Sequence, residues 1–234
     1  MNIRIKFRKY GAMKFISHLD VMRYFQKVIR RAEIDICFSE GFSPHMIMSF
    51  ASPLGVGLTS DAEYVDIRVN TAPSSAEAVR RMNETMAEGM DVVSFRLLPE
   101  NSKNAMSIVA AADYEVRFRE GQEPENGWQE RWREFLSRPE ICILKETKKG
   151  RQEVDIRPWI CDWSVMEDGL FLQVSAGSVH NLKPELLMQA FGTWAGMELP
   201  ASSLLIHRKE IYADQGTEGK QKLISLEGLG VNFG

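Results

Sequence analysis

NIRIKFRKYGAMKFISHLDVMRYFQKVIRRA, residues 2–32, is the segment from which the fold is read. Ile3, Ile5 and Phe7 alternate with polar or basic neighbours, the period-two pattern of a half-buried strand. Ser17 and Asp20 then resemble a capping box, with Asp in place of the usual Glu or Gln. Leu19, Met22, Phe25, Ile29 and Ala32 recur at helical spacing, which predicts a helix over 18–32. Working outward, SEGFSPH at 39–45 is a loop on Gly and Pro grounds. Strands follow at 46–52 and 62–69, separated by a glycine-rich turn. Ser74 or Ser75 opens a second helix that runs to about residue 88, and a fourth strand occupies 91–98.

This β-α-β-β-α-β order is the split-βαβ, ferredoxin-like plan. Two crossover helices would cover one face of a four-stranded antiparallel sheet and leave the other face to bind something or to pack on a second domain. The second half repeats the plan less cleanly. It has strands at 112–119, 140–146, 151–157, 161–166, 170–176 and 203–212. Helices are expected at 126–137 and 184–194, with turns at Lys148-Lys149-Gly150 and Glu167-Asp168-Gly169. The reading is an α+β protein of two tandem ferredoxin-like domains, each an antiparallel sheet with helices on one face. The first spans 1–100, a connector spans 101–111, and the second, with extra strands, spans 112–212. Residues 213–234 lack periodicity and read as a loose tail, in which Gly228 and Gly230 suit either a turn or flexibility.

The chain has 234 residues, 44% of them hydrophobic and 26% charged, a composition that excludes wholesale disorder and collagen-like repeats. No run approaches the ~18 apolar residues of a membrane span. The opening MNIRIKFRKYG has no apolar signal-peptide core. Cys37, Cys142 and Cys161 are an odd, scattered set, so the expectation is a reducing cytoplasm and no disulfide framework. The net charge of −3 hides a split: residues 1–54 carry a net +5 and the remainder a net −8. Charge this far apart is screened at physiological salt, so a local basic patch survives in an acidic protein.

Three constellations carry possible chemistry. Arg23, Lys27, Arg30 and Arg31 form a helical stripe, with Lys9 and Lys14 upstream, suited to meeting phosphates. The alternative for these residues is a solvated helix face. Ser17, His18 and Asp20, with the loop Ser39, Glu40, Gly41, Phe42, Ser43, Pro44 and His45, form the second. The reference pKa of histidine is near 6.5, so His18 and His45 are candidates for acid–base work, or they fix the loop by hydrogen bonds. Metal ligation would need a third ligand from Asp20 or Glu40, and no HxxxH or CxxC spacing supports it, so no metal or cofactor is expected. Gly55-Val56-Gly57 precedes a strand and not a helix, so it reads as turn chemistry. Cys142 lies in an apolar run and reads as core, as do most tryptophans, with Arg157-Pro158-Trp159 a weak exception.

The block KFISHLDVMRYFQKVIRRA at 14–32, followed by FSEGFSPHMIMSFASPLGVGLTSDAEYVDI at 38–67, resembles the radical-SAM-linked domain of unknown function 2344, with EVDIRP at 153–158 as a second element. Such domains occur alone or attached to radical-SAM proteins, often encoded near ribonuclease and ribosomal-protein genes. The resemblance therefore implies an RNA-linked role. The chain has no CxxxCxxC motif, so a radical-SAM partner would be a separate chain. The paired plan also resembles the repeat-associated RNA endonucleases of CRISPR systems, without their basic, glycine-rich C-terminal loop. The expected function is a non-catalytic accessory module that binds tRNA or rRNA and presents it to that enzyme. The alternatives are a scaffold docking through the SEGFSPH loop, or a metal-independent RNA endonuclease using His18 or His45.

Overall fold

A computed structural model describes residues 1–147, 150–217 and 220–234. The protein is α+β, with few helices and a large, mostly antiparallel sheet. It divides into two compact units, Met1–Ala111 with Arg208–Gly234, and Ala112–His207.

In the first unit, β1 (Asn2–Lys9) lies between β3 (Thr59–Arg68) and β4 (Met90–Leu97) and is antiparallel to both. β2 (Met48–Phe50) pairs with the C-terminal half of β3. α1 (His18–Arg31) and α2 (Ser75–Thr85) lie in the crossovers after β1 and β3. Alternation along β1 sends Ile3, Ile5 and Phe7 into one core with Val21, Phe25, Val28 and Ile29 of α1, and Ala78 and Met82 of α2. Leu19, expected on the buried face of α1, is instead exposed, and Val21 and Val28 take up that face. Gly89, in the tight turn before β4, has φ +98°, and a side chain there would strike Met13 and the Tyr10 carbonyl.

The second face of this sheet is not free. Arg4 is 2% exposed and clasps Asp66 through Nε (2.7 Å) and Nη2 (2.8 Å), while its Nη1 donates to the Leu226 carbonyl (3.1 Å). Lys6 reaches Glu210 (2.7 Å) and Glu227 (3.2 Å), and the Tyr64 hydroxyl donates to Glu210 (2.6 Å). The segment expected to be a loose tail supplies Leu226 and Glu227 among these partners. β11 (Leu223–Ser225) pairs with β10 (Leu204–Asp214), and a 3₁₀ turn at Leu226–Leu229 follows. Val231 then bridges Leu97, and Phe233 exchanges hydrogen bonds with Ser75 at 2.9 and 3.0 Å. Gly230 permits the approach, since a Cβ there would sit 2.9 Å from the Arg96 side chain. Docking by a few anchors leaves no periodicity to read. Leu226 is fully buried, so Leu226→Ala is expected to destabilise this unit by about 2–5 kcal/mol in urea denaturation.

The expected connector also belongs to the first unit. It holds a short helix, α3 (Ala105–Ile108), whose Ala105 N–H donates to Asp66 (2.7 Å), and β5 (Val109–Phe118) starts directly after it.

In the second unit the strand order is β10-β5-β9-β8, with β8 at Ile160–Met166 and β9 at Gly169–Ser175 joined at Glu167-Asp168. α4 (Trp128–Ser137) and α5 (Pro184–Ala195) meet through Trp132, Phe135, Phe191 and Trp194, so these tryptophans serve packing. β6 (Cys142–Thr147) and β7 (Gly150–Asp155) form a separate two-stranded sheet. Cys142 is therefore exposed and not core, because among the described residues its strand pairs with β7 alone. Of the turn expected at Lys148-Lys149-Gly150, Lys148 and Lys149 lie outside the described residues.

Candidate nucleic-acid interface

α1 is built as its sequence dictates. The Ser17 hydroxyl accepts from the Asp20 N–H (3.3 Å) and donates to the Asp20 carboxylate (2.6 Å), closing the helix start. Asp20 in the first turn and Arg30 and Arg31 in the last complement the helix dipole. With 3.6 residues per turn, Arg23, Lys27, Arg30 and Arg31 span about 100° of the circumference, opposite the buried stripe. All four are exposed. Arg23 meets Asp20 only loosely, at 3.8 Å, with both side chains more than half exposed. Among the described residues, Lys27, Arg30 and Arg31 meet no carboxylate.

The two lysines upstream do not join this row. Lys14 lies in a 3₁₀ turn (Gly11–Phe15) ahead of the helix, with its ammonium over the exposed Phe15 ring. Lys9 falls on the inward side of β1 and is 2% exposed, with Nζ donating to the Ile16 carbonyl (3.3 Å). It is a core cation and not a surface one.

Residues 37–47 form an arm on the end of β3. Cys37 N–H donates to the Arg68 carbonyl (2.7 Å), Arg68 N–H to Ile47 (3.1 Å), and Ile47 N–H to Cys37 (2.9 Å). Ser39 and His45 lock the neck. Their backbones pair at 2.8 Å, Ser39 Oγ accepts from the His45 N–H at 3.1 Å, and it meets His45 Nδ1 at 2.8 Å. Gly41, at φ +104°, turns the tip. Glu40, Phe42 and Ser43 are exposed there, Phe42 completely so and Phe38 half so.

His18 and His45 are held by different contacts. The His18 ring meets the edge of Phe50 with centroids 5.2 Å apart. His45 is held by Ser39. Ser17 and Asp20 accordingly sit with His18 at the start of α1, while Ser39, Glu40, Gly41, Phe42 and Ser43 sit with His45 on the arm. Among the described residues no three His, Cys, Asp or Glu side chains are grouped to hold a metal.

Two features have no signature in the sequence. The first is a buried cluster of Lys9, Glu63 and Arg208. Arg208 Nη1 donates to Glu63 (2.8 Å) and to the Ser52 carbonyl (2.8 Å). Burial pushes the Glu63 carboxyl up, opposed by Arg208, Ser60 and Lys9. Burial pushes the Lys9 ammonium down, Glu63 opposing and Arg208 adding. The second is a cavity of about 330 Å³ beside the base of the arm, lined by Asn2, Ile47, Met48, Ser49, Arg68 and Lys103 among others. Arg68 and Lys103 are exposed, and its carboxylate, Asp66, is already held by Arg4.

Burial and the Lys9 charge hold the His18 imidazole below its ordinary pKa. Because the unfolded state then takes up this proton first, stability is lost as pH falls below about 6.5. The urea midpoint of the wild type should drop more between pH 7.5 and 5.5 than that of His18→Asn. Equal drops would show that His18 contributes nothing to the acid sensitivity.

A family model described as "Uncharacterized protein conserved in bacteria (DUF2344)" matches residues 2–184. The chain belongs to this family. The DUF2344 match takes in all of α1, the arm and the cavity beside it, and ends before Arg208 and the docked C-terminal segment. No curated protein matches the chain in sequence. Twenty chains of solved structures match in fold. One, titled "Crystal Structure of a Cbf5-Nop10-Gar1 Complex", aligns with a TM-score of 0.48 and 14% identity, covering 89% of the DUF2344 chain and 48% of the other. This chain spans about half the length of that one, and a likeness so low carries no functional argument.

Proposed function

We propose that this DUF2344 protein is a non-catalytic accessory module that binds RNA, tRNA or rRNA, and presents it to a separate radical-SAM enzyme. The observation that carries the reading is the row Arg23, Lys27, Arg30 and Arg31, exposed on one helix face with three of its four cations free of carboxylates among the described residues. Unpaired cations at helical spacing match a phosphate backbone, and the opposite face supplies the packing. The radical-SAM partner rests on the family resemblance and on the lack of a cluster-binding cysteine motif in this chain. A cytoplasmic setting is supported by the three free cysteines. Strand orders β4-β1-β3 with β2 on β3, and β10-β5-β9-β8, support reading each unit as a βαββαβ domain.

The test is an anisotropy titration of labelled tRNA and rRNA fragments across a salt series. Four phosphate contacts give a log–log slope of about −2.8 on single strands and about −3.6 on duplex. A flat response, or no binding at low salt, overturns the reading.

A further inference from the structure

We infer that the arm selects unpaired RNA, with Phe42, supported by Phe38, stacking on bases while the cations beside the arm hold the adjoining phosphates. This rests on the RNA-binding reading and adds the substrate class to it.

Phe42 is completely exposed and Phe38 half-exposed. Phe42 does not help the fold, since the neck of the arm is already closed by backbone and Ser39–His45 hydrogen bonds, and Phe38 sits at the Phe38–Met46 bridge below it. An aromatic ring held out on a fastened tip loses little entropy when a base stacks on it, and every base offers a flat apolar face. The charges are sorted in the same sense. Glu40, the carboxylate at the tip, keeps phosphates away from Phe42 and leaves it to an uncharged base. Cations lie at the base of the arm: Arg68, whose backbone bonds Cys37 and Ile47, with Lys103 lining the same cavity. Arg30 and Arg31 end α1 only six residues before Cys37. Bases at the tip and phosphates at the root fit a strand whose bases are turned out. In a duplex those faces are stacked away from reach.

The experiment compares a single-stranded RNA 12-mer with a blunt-ended RNA duplex of 12 base pairs, using wild type, Phe42→Ala and Phe42→Tyr. The wild type should prefer the single strand. Phe42→Ala should bind it roughly 5- to 150-fold more weakly, with duplex affinity and salt slope unchanged. Phe42→Tyr should restore binding. Because the ring touches solvent on all sides, the urea midpoints should coincide, which removes misfolding as an explanation. Phe42→Ala binding both RNAs like the wild type overturns the inference and leaves the tip to a protein contact, while the RNA-binding reading stands. A wild type that binds neither RNA overturns both.

Discussion

Arg208→Ala is expected to destabilise the first unit by about 3–5 kcal/mol, the cost of leaving a buried charge without its partner. Arg208 is 4% exposed and Glu63 6%, and their 2.8 Å contact is supplemented by Arg208 to the Ser52 carbonyl. With Arg208 gone, Glu63 keeps Ser60 and the ammonium of Lys9 as favourable neighbours. The carboxyl, already pushed up by burial, then protonates more readily in the folded state than in the unfolded chain. The folded state thus holds the extra proton, so stability falls as pH rises above the unfolded value of about 4.3. The defect of Arg208→Ala should therefore be large at pH 7 and shrink toward pH 5. Replacing the whole cluster together, Lys9→Met, Glu63→Leu and Arg208→Met, should return most of the loss, since apolar side chains of similar size carry no desolvation cost and no buried charge is left unpaired. Hydrogen exchange at the β1 and β3 amides reports this unit directly. A wild-type exchange rate in Arg208→Ala at pH 7 would show that the contact contributes nothing.

The second large effect concerns RNA. Lys27→Glu with Arg30→Glu reverses two cations that have no carboxylate partners among the described residues. Each lost phosphate contact lowers the salt slope by about 0.7 on single strands, so the slope should fall by about 1.4. Affinity at the lowest salt should drop most, since reversal adds repulsion to the lost attraction. The helix should survive: Glu is a good helix former, and an acid near its C-terminus costs about 0.3–1 kcal/mol. An unchanged slope with unchanged affinity would place the nucleic acid elsewhere or nowhere on this chain. Lys9→Met belongs to a different class, because a buried cation acts on folding and not on the salt slope.

Much of the architecture was legible because the signals are local. Ile3, Ile5 and Phe7 alternate, Phe25 and Ile29 repeat at helical spacing, and Ser17 and Asp20 mark the helix start within four residues. The cation row was legible for the same reason: four side chains on one helix keep their spacing whatever surrounds them. The loop at 39–45 was visible from Gly and Pro, although its fastening by Ser39 and His45 was not.

The tertiary structure alone decided which charges are free. Lys9 and Arg23 look alike in sequence, yet one is sealed under the sheet and the other faces water, because strand pairing fixes the inward side. Arg4 and Asp66 are 62 positions apart, and Glu63 and Arg208 are 145 apart, brought together by sheet register. The docking of residues 223–233 follows from hydrogen bonds to Ser75 and Leu97, which no periodicity announces. Sequence determined the elements and the row of cations, since both depend on neighbours a few residues away. Only the assembled sheet determined the partners of the buried charges and the covering of the second face, since each depends on segments remote in the chain.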